Sequence, residues 1–80
     1  MKVKIDGYST ITGTPEAILQ VMQDARYMPM PGDYIEGVQE AVHRFFDIDL
    51  QVEGNTQAER AESFLREMAK ANMLTIEEEN

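Results

Sequence analysis

Six short segments of the sequence are apolar on one side only, and this pattern limits the folds open to the chain. Apolar residues recur every three or four positions in 15–26, 34–46 and 57–71, which predicts three amphipathic helices. They alternate with polar residues in 2–12, 47–53 and 73–77, which predicts three strands. The elements then follow one another as strand, helix, helix, strand, helix, strand.

Helices and strands of this kind must bury their apolar sides against each other. A two-layer sandwich meets that need, with all three helices on one face of the sheet. The chain of 80 residues is also too short for a second core. We therefore expect a single α+β domain over residues 1–80, with three helices on a small three-stranded mixed sheet.

Capping signals predict where the helices begin and end. Asp33 and Thr56 each precede a glutamate by three positions, which is the spacing of a capping box. Thr14 can cap the first helix, because Pro15 fits the first helical position. Asn72 is an acceptable residue for the end of the third helix.

Residues 2–12 allow two strand arrangements. One long strand would place Val3, Ile5 and Ile11 on the same side. The Asp6-Gly7 pair instead supports a two-residue hairpin, which would set Val3 opposite Thr10 and turn Ile11 outward. We expect the single strand, because it keeps all three apolar residues on one face.

Charge favours one order of the strands. A helix joins strands 47–53 and 73–77, so these two should be parallel with a right-handed crossover. Their outward faces are acidic, whereas Lys2 and Lys4 point outward from the first strand. A central first strand would bring opposite charges together, at about 0.2–1 kcal/mol per cross-strand pair. We therefore expect the sheet order 2-1-3.

The composition excludes several classes of protein. The chain has no cysteine, which rules out disulfide scaffolds, thiolate metal sites and cysteine catalysis. Fifteen acidic against seven basic residues give a net charge of −8, which opposes direct binding to nucleic acid or anionic membranes. No apolar run approaches the about 18–20 residues of a membrane span. We expect a cytoplasmic protein without a cofactor.

Glu40 and His43 have a spacing that is typical of some metal enzymes. Glu-x-x-His places two ligands on one helix face in carboxylate-bridged di-metal bundles. That centre needs further ligands on other helices, and His43 is the only histidine. We interpret the pair as part of a solvated face on which His43 pairs with a nearby acid. A metal-dependent enzyme is the alternative, and we expect no enzymatic activity.

Four aromatic and methionine residues lie in or just after the proline-rich loop 27–32: Tyr27, Met28, Met30 and Tyr34. Such side chains on a proline-stiffened segment offer apolar contact at modest entropic cost. They predict a surface that binds another protein. The alternative is that they cap the open end of a small core.

The opening residues, Val-Lys-Ile-Asp-Gly-Tyr from position 3 and Ile-Thr-Gly-Thr-Pro-Glu-Ala-Ile from position 11, resemble the start of small uncharacterised proteins of Gram-positive prophages and conjugative transposons. This resemblance covers the first quarter of the chain and implies a genomic context only. Our hypothesis is a non-enzymatic interaction or regulatory module of a mobile element. It would bind a protein partner through the Tyr27 to Tyr34 region or the outer sheet face. The alternative is an acidic decoy that mimics DNA and binds a nucleic-acid-binding protein.

Overall fold

The computed structural model describes residues 1–5, 10–24 and 33–77. In chain order the elements are β1 (Lys2–Lys4), β2 (Ile11–Thr12), α1 (Pro15–Asp24), α2 (Tyr34–Phe46), α3 (Gln57–Lys70) and β3 (Thr75–Ile76). The expected α+β class, with three helices and a three-stranded sheet, is confirmed.

The sheet has the order β2-β1-β3, and both of its strand pairs are antiparallel. The central strand places Val3 opposite Ile11 on one side and Ile76 on the other. The predicted order 2-1-3, with the first strand in the middle, is confirmed. The expected mixed sheet is wrong, because the sheet is antiparallel. The expected parallel arrangement of 47–53 and 73–77 does not form, because 47–53 is not a strand.

The expected single strand is wrong, because residues 2–4 and 11–12 form two separate strands that pair with each other. The pairing of Val3 with Ile11 differs by one residue from the two-residue hairpin, which would have set Val3 opposite Thr10. A shift of one residue exchanges the two faces of a strand. Ile11 therefore stays on the inner face and packs against the core, half-buried.

Segment 47–53 is not a strand, which corrects the prediction. Its burial still alternates as in extended chain, because Leu50 is buried and the flanking Asp49 and Gln51 are exposed. The edge position expected for this segment belongs to β2. The alternation in 47–53 therefore predicted correctly which residues face the core. It predicted wrongly that the segment pairs with a strand of the sheet.

One apolar core lies between the sheet and the helices. It includes Val3 from the sheet, Met22 from α1, Val42 from α2 and Phe64 from α3, all fully buried. No polar or charged residue of the described segments is buried. On the outer side, Lys2 Nζ lies 3.7 Å from Glu77 Oε2, as the charge argument for a central β1 predicts.

The helix ends follow the capping signals. The carboxylate of Asp33 accepts the Glu36 N–H at 3.0 Å, and the hydroxyl of Thr56 accepts the Glu59 N–H at 3.1 Å. At the end of α3, Asn72 has a left-handed backbone with φ 61°. The N–H of Asn72 donates to Ala69 and that of Met73 to Met68, each at 3.0 Å, which is the Schellman pattern.

Candidate interaction surface

The last turn of α2 projects two phenylalanines into solvent. Phe45 is 74% exposed and Phe46 is 58% exposed, whereas Val38 and Val42 on the preceding turns are fully buried. The apolar spacing over 34–46 predicts that Val38, Val42, Phe45 and Phe46 share the buried side of the helix. This prediction is wrong for the two phenylalanines. Periodicity reports only which residues share a side; it does not report where the core ends.

The backbone changes direction at Asp47, directly after Phe46. Asp47 ends α2 in the left-handed region, with φ 56° and ψ 39°, and its N–H donates to the His43 carbonyl at 3.0 Å. Segment 48–53 then leaves the helix axis, and Leu50 enters the core. Phe45 and Phe46 therefore lie at an outer corner between helix and segment, which we call the aromatic corner.

The surroundings of the aromatic corner are acidic. Residues 36–53 contain five acids and one arginine, so this stretch carries a net charge of −4, half of the charge of the whole chain. All five acidic residues are exposed: Glu36, Glu40, Asp47, Asp49 and Glu53. An apolar pair within a negative field is the main chemical character of this surface.

Glu40 and His43 are engaged with neighbouring side chains. The His43 Nδ1 lies 2.7 Å from Asp49 Oδ1, and Arg44 Nη2 lies 2.9 Å from Glu40 Oε1. The expected pairing of the histidine with a nearby acid is confirmed. Within 1–5, 10–24 and 33–77, no three acidic or histidine side chains converge closely enough to hold a metal ion.

Tyr34 lies in the core and not on the surface predicted for partner binding. Its side chain is 6% exposed, and its ring packs edge-on against Phe64 with the centroids 6.1 Å apart. Tyr34 shares the helix face of Val38, and this is the signal that predicts its burial. The other three residues of that predicted surface, Tyr27, Met28 and Met30, lie outside the described residues.

A shallow groove of about 580 Å³ lies between residues 51–54 and the outer side of α3. Its polar groups serve the fold. Glu67 accepts the Gln51 N–H at 2.9 Å and lies 2.9 Å from Lys70 Nζ, while Ser63 accepts the Glu53 N–H at 2.9 Å. The bond to Lys70, and next the bond from Gln51, lower the pKa of Glu67 below its usual value.

Comparison with known proteins gives no match: no family model fits the sequence, and no curated protein or solved structure is significantly similar. Within the described segments, no helix combines the length and the apolar character needed to cross a membrane. The site is therefore defined by its own geometry, as an aromatic corner on a small acidic α+β domain.

Proposed function

We propose that this chain is a non-enzymatic interaction or regulatory module that binds another protein through the aromatic corner. The exposure of Phe45 and Phe46 carries the proposal. Among the large apolar side chains of the described segments, only these two and Val21 are exposed, and Val21 only to 45%. Two adjacent exposed phenylalanines are a costly feature in a domain this small.

Burial of the corner would release substantial free energy. Each phenylalanine contributes about 1.5–3 kcal/mol when it passes from water into an apolar contact. Aromatic residues are also enriched in the parts of interfaces that dominate affinity. The pairing of His43 with Asp49 and of Glu40 with Arg44 favours this role over a metal enzyme. The resemblance of the opening residues to mobile-element proteins makes a host protein the first partner to seek.

Capture from a host lysate tests the proposal with three matched variants. Phe45→Ser combined with Phe46→Ser should abolish capture of the partner, since both rings are removed. Val21→Ser is the control, because it removes an exposed apolar side chain from α1. Tyr27→Ser combined with Met30→Ser tests the surface predicted from the sequence.

Circular dichroism must first show that each variant is folded. Capture that survives loss of both phenylalanines would contradict the aromatic corner as the binding surface. If the Tyr27 and Met30 variant alone lost the partner, the binding surface would be the proline-rich loop. Capture retained by all variants but lost at moderate salt would instead indicate the acidic decoy.

A further inference from the structure

We infer that the partner of the aromatic corner is a basic protein surface with an apolar pocket. The inference rests on the proposed function and adds the chemistry of the partner. Its basis is the position of the two phenylalanines within the exposed acidic stretch 36–53, which has a net charge of −4. A partner that covers the rings must also approach those carboxylates.

Asp47 is the acidic residue next to the two phenylalanines in the sequence. It follows Phe46 directly, is exposed, and takes part in none of the ion pairs of the described residues. Consecutive Cα atoms lie only about 3.8 Å apart. A partner that packs on Phe46 and its exposed neighbours therefore approaches Asp47, and a lysine or arginine of that partner would neutralise the Asp47 carboxylate.

The area of the corner requires that its acidic rim take part in binding. Two phenylalanines bury at most about 150–250 Å² each. A stable interface needs about 800 Å² from each partner. The remaining area must come from the neighbouring residues of 36–53, in which acids outnumber bases by five to one.

Charge also selects against the other occupants. A second copy of the chain would place net −4 against net −4 at the contact, and −8 against −8 overall. Anionic lipid and nucleic acid are repelled in the same way. A cationic protein surface gains from this field, which accelerates encounter, while the two rings slow dissociation.

Two synthetic amphipathic helices serve as probes. They share one leucine face and carry either lysine or glutamate on the other face. Titration into isotope-labelled protein should shift the amide signals of residues 43–49 with the lysine helix, and leave them unchanged with the glutamate helix. Phe45→Ser combined with Phe46→Ser should abolish the response to the lysine helix.

A single-charge variant separates the rim from the rings. Asp47→Asn keeps a residue that tolerates the left-handed backbone and should weaken binding of the lysine helix about two- to five-fold. Glu16→Gln on α1 removes the same charge elsewhere and should leave binding unchanged. The difference should vanish at about 1 M salt, where the screening length falls to about 3 Å.

The outcomes distinguish this inference from the proposed function. Equal binding of both helices, or equal effects of Asp47→Asn and Glu16→Gln, would overturn the basic partner while leaving the aromatic corner as the binding surface. Binding of the lysine helix that survives loss of both rings would overturn the apolar pocket. A homodimer in sedimentation that the double phenylalanine variant abolishes would overturn the inference in favour of a second copy.

Discussion

The main-chain N–H of Gln51 donates to Oε1 of Glu67 at 2.9 Å, so a helix side chain occupies the place that a neighbouring strand would fill. The pattern continues along α3. The N–H of Glu53 donates to Ser63 Oγ at 2.9 Å, and that of Asn55 to Glu59 Oε2 at 3.3 Å. We call these three acceptors the side-chain ladder.

The two periods of the ladder match. Two residues of extended chain span about 6.6 Å, and four residues of helix span about 6 Å. Alternate N–H groups of the segment therefore meet every fourth residue of α3, with the two chains running in opposite directions. On the other side, Gln39 Nε2 donates to the Leu50 carbonyl at 3.0 Å, so one peptide group is held from both helices.

Removal of the first rung should release the segment. Glu67→Ala should lower the free energy of unfolding by about 1–2 kcal/mol, since it leaves the Gln51 N–H without its charged acceptor. Glu67→Gln keeps an oxygen acceptor and should cost less. Urea unfolding gives both values. In the alanine variant, hydrogen exchange should become faster at the Gln51 amide than it is in the natural chain, and by a larger factor than at the Val42 amide. An unchanged exchange rate at Gln51 would contradict the ladder.

Acid should weaken the same rung. The pKa of Glu67 is lowered in the folded state, chiefly by its hydrogen bond with Lys70. Its stabilising contribution is therefore complete above the usual glutamate pKa of about 4.3 and is lost as the pH falls through the lower folded value. The stability difference between the natural chain and Glu67→Gln should shrink below about pH 4.3. A difference that grows on acidification would refute this assignment.

Gly54 should tolerate no side chain. Its φ is +133°, and an added Cβ would lie 2.7 Å from Glu59 Cβ and 2.9 Å from the Arg60 nitrogen. Gly54→Ala should cost more than about 1 kcal/mol, from both backbone strain and overlap. Gly13→Ala is the control for overlap alone, because Gly13 also has a positive φ, of +156°, while an added Cβ would lie 3.5 Å from Ala17 Cβ, which is ordinary contact. Thermal unfolding that ranks the two losses in the opposite order would be inconsistent with this packing.

The phenylalanines of α2 and α3 should differ sharply in their effect on stability. Phe64→Ala should cost about 3–5 kcal/mol, because the side chain is fully buried against Tyr34. Phe45→Ser should change stability by less than about 0.5 kcal/mol, since the ring is in water. Guanidinium unfolding measures both. A large loss for Phe45→Ser would mean that the corner is part of the core.

A substitution at Asp47, the residue with a left-handed backbone at the end of α2, should make the protein more stable. Asp47→Gly should raise the free energy of unfolding by about 1 kcal/mol, since glycine adopts this backbone freely and the carboxylate at a helix C-terminus is unfavourable. Asp47→Asn isolates the charge and should give only part of the gain. Calorimetry gives the stability of both variants. An equal gain in stability for Asp47→Asn and Asp47→Gly would contradict this account.

Segment 47–53 shows what a local alternation of apolar and polar residues can predict and what it cannot. The alternation of 47–53 was interpreted correctly for the burial of Leu50 and wrongly as a strand, because alternation describes side-chain faces and says nothing of what the backbone N–H groups bind. Tyr34 was an exception of another kind. The helix face of Tyr34 predicts burial, whereas its position beside the loop indicates a binding surface. In the structure Tyr34 is buried in the core.

What the sequence determined by itself is local: three amphipathic helices, their capping residues, the residues of each segment that share a side, and the −8 charge. Each of these depends on residues close along the chain. Tertiary structure decided the rest. It made β2 an edge strand in place of 47–53, placed the 47–53 segment on α3, and ended the core before Phe45 and Phe46. Each of these depends on contacts between segments that are far apart in the sequence. Periodicity along one segment carries no information about where the core ends.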